Sequence, residues 1–257
     1  SIPAMVLSLT PTALQSQVST LTLESGTAIS YIAAAGANPR SETKAHYEYH
    51  EPTYHSRRRG SGYTMDDDSD DWEGVNAICQ LIDTIMHVER EYDFFENKNV
   101  LELGFCTGLP SVLALAKGAN EVAVHCQTKP SLEYFVRPTL HRAFPSLSAN
   151  IKLSSGDLID ARVSNKFDII LAPELLNCPR DQYDEIHAIL DRGLTDDGVC
   201  FISSRTSYLL NNSAGSLQDF LTLLAKHRKF VPLIRWTSRS SDLHPRQIIQ
   251  ITRNLNY

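Results

Sequence analysis

No stretch of this chain of 257 residues comes near the roughly 20 consecutive apolar residues that a membrane-spanning helix requires. The longest candidate, running from Ile29 through Tyr31, Ile32, Ala33, Ala34 and Ala35 to Gly36, is short and weakly apolar, so no membrane insertion is expected. An excess of positive charge is also missing. Lys and Arg number 24 against 30 Asp and Glu, a net charge of −6, and a general nucleic-acid-binding surface is therefore not the starting expectation. There is no Cys-x-x-Cys. Cys79, Cys106, Cys126, Cys178 and Cys200 form an odd, scattered set, which argues against a disulfide framework. A reducing intracellular compartment, cytoplasm or nucleus, follows, with an organelle matrix left open by the start at Ser1. No secretory signal pattern is visible. Ser-His-Asp and Cys-His arrangements with a supporting motif are absent, and no metal site is expected. Asn211-Asn212-Ser213 is a glycosylation sequon by pattern only.

What is present divides in two. Residues 1–62 are rich in Ser, Thr and Ala and lack a sustained helical or strand period, which predicts an N-terminal extended arm. The arm ends in Arg57-Arg58-Arg59 and Gly60-Ser61-Gly62, and an acidic run follows at Asp66, Asp67, Asp68, Asp70 and Asp71. The plain reading is a solvated linker. The sharper reading is an arm that docks on a protein partner or a large assembly, ribosomal or RNA-associated partners included.

Residues 63–257 read as one domain. Apolar residues at Ile78, Leu81, Ile82, Ile85 and Met86 predict an amphipathic helix over 75–88. Strands are then expected at Asn99–Leu103, Glu121–Cys126, Asn150–Ser155, Phe167–Ala172, Val199–Ser203, Phe230–Trp236 and Gln247–Thr252. Helices are expected at Leu109–Lys117, Ser131–Ala143, Asp181–Arg192 and Ser216–His227. Strict alternation closed by a strand pair predicts an α/β fold: a doubly wound, mostly parallel seven-stranded sheet, with ligands beyond the carboxyl ends of its central strands.

The informative segment is Val100-Leu101-Glu102-Leu103-Gly104-Phe105-Cys106-Thr107-Gly108-Leu109-Pro110, a strand, a glycine turn and a helix start. Such a turn lets a ligand approach bare backbone, and the helix that follows is expected to present free N–H groups. Around it stand Trp72-Glu73-Gly74, then Leu132-Glu133-Tyr134 with Pro138, then Phe167 to Glu174, then Leu194–Arg205. Over roughly residues 72–254 this pattern resembles the histidine protein methyltransferases, a branch of the seven-β-strand class I S-adenosylmethionine-dependent enzymes. The resemblance implies a Rossmann-like methyltransferase fold and S-adenosylmethionine as cofactor. It places Glu102, Gly104, Thr107, Gly108, Ala172 and Asp157 at the cofactor, Asp157 as the acid that receives the adenine amino group. It offers Glu174 and Asn177 as the groups that would orient a substrate imidazole.

The departures from the family pattern cluster in the same pocket. Cys106 replaces a glycine, where a Cβ narrows the approach and a left-handed conformation is costly. Cys126 replaces the acid that grips the ribose hydroxyls, and a thiol is a poor acceptor. Val75 and Cys79-Gln80 replace a glycine and a Trp-Glu pair near the pocket. Losing two charged contacts and adding a steric intrusion costs ~4–6 kcal/mol if the effects are independent, or ~10³- to 10⁴-fold in affinity. Gln127 or Thr128 could supply replacement contacts. Two expectations stand side by side: a pseudoenzyme that serves as a binding or structural subunit, and an active protein-histidine methyltransferase. Tyr208 is expected to pack at the surface.

Overall fold

The computed structural model describes residues 16–34, 69–145, 150–158, 161, 167–208, 215–239 and 245–255. The basic cluster Arg57-Arg58-Arg59, Asp66 to Asp68 and the sequon lie outside the described residues.

Within the expected arm, β1 (Ser16–Thr22) and β2 (Ala28–Ala34) form an antiparallel hairpin. This corrects the reading of residues 1–62 as lacking a strand period. Leu21, Leu23, Ile29 and Tyr31 are buried, whereas Thr20, Thr22, Ala28 and Ser30 between them are exposed, a strict period of two. Gly26, at φ 85, permits the tight reversal. The hairpin is tied to the helix α1 (Ser69–His87), where Gln80 Oε1 accepts from the Glu24 N–H and Asp83 accepts from the Ser25 N–H.

From Trp72 onward the expected alternation assembles. The strands β3 (Asn99–Glu102), β4 (Glu121–Cys126), β5 (Ile151–Ser155), β6 (Phe167–Pro173), β7 (Leu194–Arg205), β8 (Phe230–Thr237) and β9 (Arg246–Arg253) form one seven-stranded sheet. Its order is β5-β4-β3-β6-β7-β9-β8. The first five are parallel, and β9 runs antiparallel to both its neighbours. The central strand β6 is almost wholly buried, which its run of Phe167, Ile169, Ile170, Leu171 and Ala172 dictates. Because the order reverses at β3 and β6, a crevice opens beyond their carboxyl ends.

The helices are α2 (Leu109–Ala116), α3 (Lys129–Ser131), α4 (Arg137–Ala143), α5 (Tyr183–Gly193) and α6 (Leu217–His227). A π-turn, Leu132–Val136, joins α3 to α4, and Pro138 just beyond it has no N–H to donate to the preceding turn. A capping box between Ser216 and Asp219 starts α6. One core layer gathers Ile78, Ile82, Val112 and Val136 with the hairpin; the other gathers Tyr183, Ile186, Leu190, Phe220 and Leu224. At the sheet edge β8 leaves Val231, Leu233, Ile234 and Trp236 exposed. Pro232 and a register shift between Ile234 and Trp236 interrupt that edge. No helix among the described residues is long and apolar enough to cross a membrane.

Candidate functional site

The turn after β3 is held in place from below. Leu103 N–H donates to the Leu171 carbonyl (3.0 Å) and Phe105 N–H to the Pro173 carbonyl (2.7 Å), so the chain follows β6 past the end of the strand. Gly104 takes φ 81, and a Cβ there would lie 2.4 Å from the Pro173 carbonyl oxygen. Only glycine satisfies both the conformation and the approach. Cys106 does not adopt a positive φ, so the expected left-handed strain does not arise and only its side chain intrudes.

Glu102 is fully buried and points inward at the same turn. One carboxylate oxygen accepts from the N–H groups of Thr107 and Gly108, both at 2.9 Å. The other accepts from the N–H and hydroxyl of Ser111. Thr107 Oγ1 accepts from the Leu109 N–H at 3.2 Å. The start of α2 therefore does not present free N–H groups, contrary to expectation, because an internal carboxylate already fills that role. Burial pushes the Glu102 carboxyl above its usual range, and the Ser111, Gly108 and Thr107 donors pull it back. Glu102 is thus a strut of the turn and not a group a ligand can touch, and Thr107 is buried with it. Gly108 keeps the turn's second left-handed position, at φ 77.

Gly104, Phe105 and Cys106 face Cys126, Gln127, Thr128 and Ser131 across a cleft between the ends of β3 and β4. The cleft encloses only about 10 Å³, about the threshold for a single water. The Cys106 thiol donates to the His125 carbonyl at 3.1 Å and shares the cleft wall with Cys126. Burial first, and Cys126 second, push the Cys106 thiol well above its ordinary range. Thr128 caps the following helical turn and pairs with the Ser131 hydroxyl at 2.8 Å. Gln127 is half-buried in the wall, where the sequence places it. Asp157 is exposed beyond β5, and its carbonyl meets His125 Nε2 at 3.1 Å. Ala172 is buried inside β6. Behind the turn Phe105 packs edge-on to Trp72 at 5.9 Å, and Trp72 stacks on Tyr31 of the hairpin at 4.9 Å.

Glu174 lies at the carboxyl end of β6, buried, with φ 51. Its carboxylate accepts from Arg246 Nε and from the Tyr208 hydroxyl, both at 2.7 Å. Arg246 also reaches Glu73 at 2.7 Å. Burial pushes the Glu174 carboxyl up against the pull of Arg246. Burial opposes the charge of Arg246, yet Glu174 and Glu73 hold its pKa above the ordinary value. The acid expected to orient an imidazole is instead one partner of a buried ion pair. Asn177, half-buried, donates its N–H back to the Glu174 carbonyl at 3.0 Å. Tyr208, expected at the surface, is buried as a third member of this group. Sequence reading missed Arg246 and Ser111. Ser111 was within reach, since a hydroxyl nine residues after a buried acid falls in the first turn of the helix that the acid caps.

No protein-family model matches the chain. The Caenorhabditis elegans "Uncharacterized protein F22B7.9" is 43% identical over 239 residues, covering 91% of this chain and 93% of the nematode protein. The chain belongs to the same family. The Dictyostelium discoideum "Histidine protein methyltransferase 1 homolog" is 26% identical over 186 residues, 68% of this chain and 56% of that protein. The chain thus spans little more than half the length of that relative. Among solved structures, magnesium protoporphyrin IX methyltransferase from Synechocystis PCC 6803 with bound SAH superposes with a TM-score of 0.54 at 14% identity, over 76% of this chain and 90% of that one. The same enzyme with bound SAM gives 0.52 at 14% identity, over 76% and 87%. The chain therefore has the Rossmann-like fold of the class I S-adenosylmethionine-dependent methyltransferases, together with a sequence likeness to one histidine protein methyltransferase homolog.

Proposed function

We propose that this methyltransferase-fold protein has given up tight S-adenosylmethionine binding. In this reading it acts as a pseudoenzyme, a binding or structural subunit of a larger protein or ribonucleoprotein assembly, with the N-terminal arm outside the hairpin as its docking element. One observation carries the reading: two thiols, Cys106 and Cys126, line the cleft of about 10 Å³ between the ends of β3 and β4. A nucleoside needs charge-assisted acceptors for its ribose hydroxyls, and a thiol supplies none. The N–H groups of Thr107 and Gly108 are already committed to Glu102. The residues present thus do not fit the cofactor.

Isothermal titration with S-adenosylhomocysteine tests the reading. No saturable heat is expected below millimolar ligand, and a micromolar Kd refutes it. A C106G/C126D variant, which reinstates bare backbone and a carboxylate, should gain binding by ~10²-fold or more, as two restored contacts of 1.5–3 kcal/mol imply.

The competing reading is an active S-adenosylmethionine-dependent protein-histidine methyltransferase. The likeness to the Dictyostelium protein favours it. It requires micromolar cofactor binding by the wild-type chain, with Gln127 in place of the missing acid, and methyl incorporation into a protein histidine.

A further inference from the structure

The five cysteines do not share one environment. All five are buried, but Cys106 and Cys126 also line the cleft. Cys126 ends β4, and Cys106 lies four residues past the end of β3, so only a turn that folds back toward β4 can bring the two together. The turn does fold back, because the Cys106 thiol donates to the carbonyl of His125, the residue next to Cys126. Two free thiols that line one cleft are a different situation from single thiols packed as small apolar groups.

We propose that Cys106 and Cys126 form a reversible dithiol that a peroxide oxidises to an intramolecular disulfide, a modification site on the cleft itself. The inference stands whether or not the cleft binds a cofactor. The deprotonated sulfur of Cys106, the less buried of the two, attacks one oxygen of hydrogen peroxide. The O–O bond breaks, leaving a sulfenic acid and, after proton transfer, one water. The sulfur of Cys126 then attacks the sulfenic sulfur. The S–O bond breaks, and hydroxide leaves with the Cys126 proton as the second water. Two thiols lose two electrons and two protons, and one peroxide becomes two waters. Burial keeps the Cys106 thiol protonated, so the reaction is slow and requires the Gly104–Gly108 turn to open transiently. Once formed, the bond fastens that turn to the end of β4 and closes the cleft; thiol reductants reopen it.

The test is mass spectrometry of the folded full chain after millimolar hydrogen peroxide, with digestion under non-reducing conditions. The expected result is loss of two hydrogens, one cross-linked peptide pair containing Cys106 and Cys126, and reversal by dithiothreitol. The melting temperature should rise by roughly 5–10 °C on oxidation and return on reduction, as closing a loop of about 20 residues implies. The inference is overturned if the folded protein keeps both thiols, if Cys106 runs on to sulfinic acid without cross-linking, or if the cross-link joins other cysteines. C126S guards against an unrelated thermal effect, since it must lose both the cross-link and the melting shift. If C126S fails to fold, the wild-type peptide map alone decides.

Discussion

Removing the carboxylate of Glu102 should cost this domain much of its stability, and the structure gives a magnitude. Glu102 accepts from three backbone N–H groups, those of Thr107, Gly108 and Ser111, and from the Ser111 hydroxyl, all inside a region closed to solvent. In Glu102→Ala the hydroxyl can rotate to another acceptor, but the amides cannot. Each orphaned buried donor costs ~1–3 kcal/mol, so three sum to ~3–6 kcal/mol after one water re-enters the space left behind. Small domains are stable by only ~5–15 kcal/mol, so this variant sits near the limit of folding. Glu102→Gln is the informative partner. Its carbonyl oxygen still serves Thr107 and Gly108, while its amide meets the Ser111 N–H donor to donor, a loss of ~1–3 kcal/mol. Urea unfolding followed by far-UV circular dichroism measures both, with the midpoint shifting at constant m. If Glu102→Ala lies within ~1 kcal/mol of wild type, the strut assignment is wrong. If the two variants are equally destabilised, charge and not acceptor geometry matters, and the reasoning from the four bonds fails.

Three further outcomes are expected. Arg246→Met strands the buried Glu174 carboxylate and should cost ~3–5 kcal/mol, whereas Glu174→Gln added to it recovers part of the loss; a double-mutant cycle by denaturant unfolding measures this. Gly74→Ala would set a Cβ 2.2 Å from Glu174 Oε1, which Arg246 holds in place; the overpacking should lower stability by ~1–3 kcal/mol in the same assay. His187 stacks on His227 at 4.2 Å, and burial first, then His227, depress its pKa against the opposing pull of Asp191 and Asp184, with Lys229 adding to the depression. The unfolded chain therefore takes up this proton first, so its contribution to stability is complete above pH ~6.5 and is lost as pH falls, at up to ~1.4 kcal/mol per pH unit. Melting at pH 7.5 and 5.5 should show a drop that is smaller in His187→Leu; an equal drop refutes the assignment.

All seven strands of the main sheet were legible in the sequence, because apolar runs such as Phe167–Ala172 are bounded by turn residues such as Gly104, Gly118 and Gly156. The hairpin was missed for a physical reason. Its buried face is only Leu21, Leu23, Ile29 and Tyr31, set among Ser, Thr and Ala that a composition argument reads as a tail. At the site, the sequence located the turn but not the direction of its acid. A Glu two residues before a glycine turn can face a ligand or fold under the turn, and spacing does not distinguish them. Glu174 was visible as an acid ending a strand, but its partner Arg246 lies 72 residues away and Tyr208 lies 34 away. Only the pairing of β7 with β6, and of β9 with β7, brings them together.

The hairpin has a practical corollary. Its underside shields the indole of Trp72, and Thr139 of α4 accepts an N–H from Ile32. A protease that clips between the hairpin and α1 would leave a fragment whose newly bared greasy strip invites clumping. Solubility of the excised Rossmann-like portion is thus a property of residues far upstream of its first helix, and a stable recombinant form has to retain Ser16 to Ala34.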